Sequence, residues 1–516
     1  MLLGYSLTLD MAAVEADLKL SLSPAILSLL AQVENFLSKN GTRAYIVGGF
    51  LRDLLMGRNT ADIDIALEAD ALRVAPQIAD YLCGKYIPLD EKGKVARIIL
   101  PGYEKQPDNR QWQIDFSTIE GGIEQDLGRR DFTVDAMAID LDKIVKGAAA
   151  SEIIDPFNSI EDIEKKVIRA TTDNIFKEDA VRLLRAVRLA AELNFTINPE
   201  TEELIRQNCH LIVGVAGERA REELLRLLAN TDSGRLMLYL DELGLLTALI
   251  PELAETKGVE QPREHQWDVF NHSVKVVDAI DFILRKGGWQ YAGGEVLDYV
   301  PWSAELSEHF ELKISSGSNR RLLLKLAALL HDIAKPQTKM VNAQGRTRFH
   351  GHPQQGAPIA AAILERLRFS TRESKLVAAV VRHHLRPVQT SHEELPSGRA
   401  IYRYFRDTGD AAIDILFFSL ADHLATRGVD LDKTGWQQHT AIVEYMLTQH
   451  LKQESETAPP KLINGHDLIR NFNLKPGPEI GRILEAIREA HACREITSRD
   501  EAMAYADRLL SSKKGD

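Results

Sequence analysis

Apolar residues fall in two rhythms along this chain, and the change from one to the other divides it. From Arg43 to about residue 145 the rhythm is mixed. A short apolar run at 44–47 ends in Gly48-Gly49, and residues 50–56 have helical spacing, which predicts strand, turn and helix. Asp62-Ile63-Asp64-Ile65-Ala66-Leu67 alternates with period two, as a half-buried strand does, and 113–117 predicts another strand.

After Asp155-Pro156-Phe157 the helical period takes over. Residues 161–253 read as helix upon helix, with Arg182, Arg185 and Arg188 at three-residue spacing and so close together on one face. A loop at about 255–263 leads into a second helical region that runs to about Asp432. Within it, 286–319 is rich in Gly and Ser and weakly periodic, which predicts an insertion or a long loop. Residues 453–460 resemble a linker, and Pro476-Gly477-Pro478 breaks helices in a last small module. The expected class is α+β: a small mixed α/β head followed by mostly helical domains. The expected boundaries are a helical extension at 1–40, the head at 41–150, a helical neck at 151–255, a second helical domain at 264–432 and a C-terminal helical module at 461–516.

Composition restricts the function classes. No apolar run approaches the roughly 18 residues that span a bilayer, so a membrane role is not expected. The first twenty residues carry Asp10, Glu15 and Asp17 and lack a basic start with an apolar stretch, which points to the cytoplasm. Cys83, Cys209 and Cys493 form no CxxC pair, arguing against a disulfide framework or a cysteine-zinc site. The net charge of −12 would repel phosphate unless cations are gathered on one face, so a nucleic-acid role must be argued from sites.

Two groups of residues carry candidate chemistry. A Gly-Gly turn ahead of a helix lets backbone N–H groups approach a triphosphate. Asp62 and Asp64, two apart on a strand, share a face and can jointly hold Mg2+, and Asp115 on a separate strand is the natural third carboxylate. Metals held by such a trio would stabilise the attacking 3′-oxygen and the leaving pyrophosphate of an in-line displacement.

Gly48-Gly49-Phe50-Leu51-Arg52-Asp53 with Asp62-Ile63-Asp64 resembles the signature of the tRNA nucleotidyltransferase and bacterial poly(A) polymerase family. Further motifs follow in the family's order: 126–138 with Arg129-Arg130-Asp131, Asp155-Pro156-Phe157, Glu178–Arg185, and Glu218–Glu223. The resemblance implies that Gly48, Gly49 and Arg52 hold the triphosphate, Asp62 and Asp64 the Mg2+, and that Asp115 assists the RNA hydroxyl. It implies that Asp131, with Arg130 beside it, contacts the ribose. It also implies that Asp179 and Arg182, with Arg185 one turn on, read the incoming base. CTP and ATP both offer an exocyclic amine to a carboxylate and a ring acceptor to a guanidinium.

Two departures from the family's pattern stand out. Asp135 occupies a position where Asn is usual, which puts the local hydrogen bonding in question. Only residues 116–128 separate the third carboxylate from Arg129, where enzymes that add the whole CCA triplet commonly have a longer loop. The short segment favours CC addition or another restricted specificity.

The second group is a set of imidazoles and carboxylates dispersed over several predicted helices: His272, His331-Asp332, His350-Gly351-His352, His383-His384 and Asp422. Such a set suits one or two transition-metal ions. The ordering resembles the HD phosphohydrolase superfamily. The resemblance implies His272, His331, Asp332 and Asp422 as the core shell, His352 and His384 completing a second site, and Lys335 near the phosphate. Which of His383 and His384 faces inward is open from sequence, and His265 and Asp268 are read as supporting or structural residues. The whole chain then reads as a nucleotidyltransferase head, a nucleotide-selecting and RNA-binding neck, an HD domain and a tail. Its expected partners are tRNA or another RNA 3′ end, with CTP, ATP or both. The alternatives are poly(A) addition and an HD phosphohydrolase whose head only binds nucleotide.

Overall fold

The computed structural model describes residues 22–512 except 59, 61, 101–111, 148, 263–264, 390–394 and 456–461. The expected start of the helical extension and most of the expected linker lie outside the described residues. The chain forms two compact units, residues 1–214 and 215–516.

The first unit opens with helix α1 (Pro24–Lys39), whose start is fixed by Ser23 as N-cap and Pro24 in the first turn. A six-stranded sheet follows, built from β1 (Ala44–Val47), β2 (Asp62–Leu67), β3 (Lys85–Asp90), β4 (Val95–Leu100), β5 (Trp112–Thr118) and β6 (Ala138–Asp140), in the order β3-β4-β5-β2-β1-β6. Only β2 and β5 run parallel. Period-two alternation decides what each face carries. Ile63, Ile65, Leu67, Ala96, Ile98, Leu100, Ile114 and Phe116 enter the main core together with α1 and the helix Ala71–Tyr81. Asp62, Asp64, Arg97 and Asp115 are the alternate residues and emerge on the other face. That face is closed further along by a smaller cluster of Tyr45, Val47, Ala66, Leu127 and Ala138.

The helix expected from residue 50 begins two residues earlier, at Gly48, because Gly48 itself takes a left-handed φ of 65° and turns the chain straight out of β1. The segment 116–128 contains the end of β5 and the helix Ile123–Gly128. Helices from 159 to 208 follow, joined by one two-stranded parallel pair at 167–168 and 196–197.

In the second unit the helices Val269–Ile283, Arg320–Leu330, His352–Arg366, Thr371–His383 and Ala412–Arg427 pack on one another through Val277, Ile280, Leu326, Leu330, Val380 and Phe418. Buried charges are paired between these helices. Lys325, fully buried, donates to Asp281 and to the Asn230 carbonyl, and Arg320 donates to Asp414 and Asp410.

Residues 286–319 are not a long loop. They form the helix Ala304–Glu311 and the short strands Lys313–Ser315 and Ser318–Asn319. Single anchors hold the segment rather than a periodic stripe. Trp302 stands 6.3 Å from Phe310 and 6.0 Å from Phe417, Trp436 donates its indole N–H to the Val296 carbonyl, and Ser315 and Ser318 both donate to Glu373. The last module is a trio of helices, Gly465–Phe472, Pro478–Ala492 and Arg499–Ser512, around Leu468, Ile483, Ile487 and Ala502. The helix Gly398–Thr408 meets the second of them through Arg403–Glu489 and Arg406–Glu485 pairs, and Arg399 adds a pair with Glu495 just beyond.

Candidate active site and candidate metal centre

Strand register gathers the first site. Asp64 lies opposite Asp115 across the parallel β2–β5 pair, and Asp115 lies opposite Arg97 across β4–β5. The three form one row on the face away from the core. Arg97 donates Nε and Nη2 to the two oxygens of Asp115, at 2.7 Å each. Asp62 sits two residues before Asp64 on the same face, at the exposed end of β2. Burial, offset by Arg130 but reinforced by Asp115 and Asp135, pushes the Asp64 carboxyl up to about 6. A row of carboxylates so short of positive charge fits a divalent cation.

Gly48 stands directly over this row. A Cβ there would lie 2.9 Å from Arg130 Nη1 and 3.1 Å from Asp64 Oδ2, so the bare backbone is what brings the turn, the carboxylate and the guanidinium together. Arg130 also pairs with Asp126 one helical turn earlier.

Arg52 departs from the expectation that it reaches a triphosphate. It is buried beneath the turn, with Nη1 donating to Asp135 at 2.6 Å and Nε to Asp53 at 3.0 Å. The unusual Asp135 thus supplies a full negative charge to a buried guanidinium.

Asp131 pairs with Arg185 at 2.5 Å, and Arg185 Nη2 is 3.9 Å from Asp135, so these three join ribose-side and base-side candidates in one network. Arg182 begins the helix Arg182–Leu193 and donates to the Arg129 carbonyl and to Glu178. Asp179, in extended conformation before that helix, accepts from the Val181 N–H. Arg188 is buried against Glu192 and is not part of the row. Asp155 accepts from the N–H groups of Ser159 and Ile160, so its motif starts a helix.

The second site lies wholly within the second unit. His272, His331, Asp332, His352 and His384 are buried and come from four helical segments, and Asp422 joins them from a fifth. His272 Nε2 is 3.0 Å from Asp422, His331 Nε2 is 3.0 Å from Asp332, and His352 Nε2 is 3.2 Å from the other Asp332 oxygen. Two metal-sized triads result, His272/His331/Asp422 and His331/Asp332/His384. Among the described residues, Asp62, Asp64 and Asp115 form no comparably tight set.

Hydrogen bonds outside the cluster fix its donor atoms. The Nδ1 atoms of His331, His352 and His384 each lie 2.8 Å from a backbone carbonyl, of Ala328, Phe349 and Val381. A carbonyl only accepts, so each Nδ1 carries a proton and each Nε2 is the ring atom turned inward, where it can serve as a metal ligand. Yet the Nε2 atoms of His352 and His384 are 3.3 Å apart. Burial, with His331 nearby, pushes His384 down to about 3, so its ring is neutral near neutral pH. Two inward ring nitrogens at that distance, beside the Asp332 carboxylate, fit a shared cation, as expected of a metal centre.

Burial alone would raise the Asp332 carboxyl, but His331 and Lys335 outweigh it and hold it well below the usual range. Lys335 Nζ is 2.6 Å from Asp332 and 5.3 Å from the centre of the Phe349 ring. Of the ambiguous histidines, His384 faces the cluster. His383 is half-buried outside it, and His350 is exposed. Asp268 caps the helix Val269–Ile283, whereas His265 packs edge-on against His272 at 5.1 Å.

The chain matches family models along most of its length: a poly A polymerase head domain at 44–169, the RNA and SrmB-binding site of polymerase A at 194–257, an HD domain at 269–427 and tRNA nucleotidyltransferase domain 2 at 425–506. It is 31% identical to an A-adding tRNA nucleotidyltransferase of Deinococcus radiodurans, over 92% of this chain and 96% of that one. It is 30% identical to a CC-adding tRNA nucleotidyltransferase of Thermus thermophilus, over 90% and 92%. The chain belongs to the tRNA nucleotidyltransferase family. A solved CCA-adding enzyme in complex with ATP shares the fold, with a TM-score of 0.61 at 21% identity over 96% and 95% of the two chains.

Members of this family are metal-dependent. In this nucleotidyltransferase, Arg97 is the site neighbour that motif reading passed over. Its only signal is its alternate position in β4, legible once β4 is paired with β5. No described helix is long and apolar enough to cross a membrane.

Proposed function

We propose that this chain extends the 3′ end of tRNA with nucleotides from CTP or ATP, and that it adds only part of the CCA triplet. The row Arg97–Asp115–Asp64 beneath Gly48 carries this reading. Restricted addition is supported by the short, partly helical segment 116–128 and by the names of relatives aligned over nearly the whole chain, among them one A-adding and one CC-adding. With tRNA and nucleoside triphosphates as substrates, the expected compartment is the cytoplasm.

Asp62 and Asp64 would hold Mg2+, which when bound stabilises charge on the attacking and leaving oxygens. The terminal ribose oxygen bonds to the α-phosphorus, the bond to pyrophosphate breaks, and the hydroxyl proton leaves toward Asp115. Arg97 fixes that carboxylate in place. Gly48 and Gly49 admit the triphosphate, and Arg130 lies beside it. Arg52 holds the turn from below. Asp131 meets the ribose, steadied by Arg185, and Asp179 and Arg182 read the base edge.

In the second unit, His272, His331, Asp332, His352, His384 and Asp422 would hold one or two divalent transition-metal ions for phosphate-ester hydrolysis, with Lys335 near the phosphate. The Nδ1 bonds of His331, His352 and His384 support this by turning their Nε2 atoms inward as ligand atoms.

The deciding experiment incubates the protein with tRNA ending before CCA, after C and after CC, each with CTP or ATP. Extension by C residues alone, or by A on the CC end alone, is expected. Completion of CCA from both nucleotides overturns restricted addition, and long A tracts point to poly(A) synthesis. Asp62→Ala with Asp64→Ala should abolish incorporation. Full activity of that pair would sink the assignment.

A further inference from the structure

Between Asp332 and His352, two residues of the metal cluster, the chain makes an excursion that the cluster itself does not require. Lys339–Val341 and Thr347–Phe349 form an antiparallel hairpin with pairs Lys339–Phe349, Met340–Arg348 and Val341–Thr347. Its root is built into the cluster. The Phe349 carbonyl accepts from His352 Nδ1, and the Phe349 ring lies under Lys335, which holds Asp332.

Its exposed part is cationic and apolar. Lys339, Arg346 and Arg348 are exposed, and no ion pair to any of them exists among the described residues. Met340 and Val341 are 61% and 62% exposed. In a chain of net charge −12, no Asp or Glu stands between Asp332 and Glu365. Such a segment attracts a polyanion, and its apolar side chains offer contact to bases or ribose.

Resting on the phosphohydrolase reading above, we propose that this hairpin is an RNA-binding arm. The phosphate ester hydrolysed at the cluster is then carried at the end of an RNA strand rather than on a free nucleotide. A water oxygen bonds to phosphorus, the phosphorus–oxygen bond to the ribose breaks, and a proton from that water passes to the ribose oxygen, leaving a hydroxyl end and inorganic phosphate.

The test uses the full-length protein with Met340 replaced by p-azidophenylalanine and a short single-stranded RNA bearing a 3′-phosphate. A photo-crosslink to RNA is expected. For three cations on a single strand, its apparent affinity should fall roughly 20-fold between 50 and 200 mM salt. Arg346→Ala with Arg348→Ala should weaken it at least about tenfold and reduce the salt slope to roughly a third. A missing crosslink, or one indifferent to salt and to both arginines, overturns the arm. So does crosslinking to protein in place of RNA.

The same arginine pair should lower kcat/KM for phosphate release from the oligonucleotide about tenfold more than from a 3′-mononucleotide, since the hairpin contacts only the longer substrate. Equal losses overturn the substrate assignment. If wild type with Mn2+, Co2+, Ni2+ or Mg2+ hydrolyses neither while the crosslink persists, the phosphohydrolase reading fails and the RNA contact alone remains.

Discussion

Arg97 and Asp115 face each other across β4 and β5 through two hydrogen bonds of 2.7 Å, and the neighbour of Asp115 on its other side is Asp64. A forked guanidinium thus compensates one of three carboxylates and leaves the other two for a cation. Arg97→Met is expected to lower kcat about 10- to 100-fold, because Asp115 loses its fixed orientation. Arg97→Lys should recover only part of this, since an ammonium cannot form the fork. Single-turnover incorporation with saturating nucleotide checks both.

Asp64 has its carboxyl raised to about 6, so the ion-free head favours the protonated form by roughly 3 kcal/mol relative to an unfolded chain. That contribution is present below the ordinary value of 3.8 and is lost as pH rises through about 6. Added Mg2+ should therefore raise the unfolding temperature more at pH 7.5 than at pH 5. Asp64→Asn should stabilise the ion-free head at pH 7.5 and erase the Mg2+ response. Thermal unfolding at both pH values, with and without Mg2+, measures this, and an equal Mg2+ shift at both would refute it.

Gly48→Ala places a methyl group against Arg130 and Asp64 on a backbone with φ of 65°. About 1–2 kcal/mol of stability should be lost from the backbone term alone, and incorporation should fall at least 100-fold because the carboxylate is displaced. Gly49→Ala meets only the Arg52 guanidinium, at 3.2 Å, and should be milder. Denaturant midpoints and kcat of the two variants give the comparison.

His352 and His384 turn their Nε2 atoms toward each other at 3.3 Å inside a buried cluster, which predicts that the second unit is less stable without a cation. Chelation should lower its unfolding temperature, and Mn2+ or Ni2+ should restore it. His384→Ala should reduce bound metal by elemental analysis and blunt the restoration. A chelator-insensitive transition would count against the metal centre.

The pairs Arg399–Glu495, Arg403–Glu489 and Arg406–Glu485 have solvent-exposed arginines, so each is expected to be weak and to weaken further with salt. Hydrogen exchange in the helix Pro478–Ala492 should accelerate as salt rises from 0.1 to 1 M. Arg403→Glu should accelerate it at low salt, and adding Glu489→Arg should reverse the change.

Strands β1, β2 and β5 and the three aspartates were legible because short apolar runs and period-two alternation show within a single strand, whereas β3, β4 and β6 were not read. Arg97 was not, since its role depends on which strand lies beside β4. The histidines show the same division. Their types and order suggested a metal centre, but only helix phase and the Val381 carbonyl separate His384 from His383. Residues 286–319 read as a loop because Trp302, Phe310 and Val296 anchor it singly, and single anchors leave no periodic trace. The buried Arg52–Asp135 pair was not legible either, since no spacing links residues 83 apart.

The register of β5 also has a meaning in time. Because β5 inserts between β2 and the β3–β4 hairpin, Asp64 acquires its companion carboxylate only when a strand some fifty residues later in synthesis has slid into a gap between earlier ones. Such non-local pairing is slow relative to local hairpin closure. The nascent head therefore passes through a stage in which β1 and β2 can be joined while the catalytic face is still divided, and no fragment ending before Trp112 can become a working transferase.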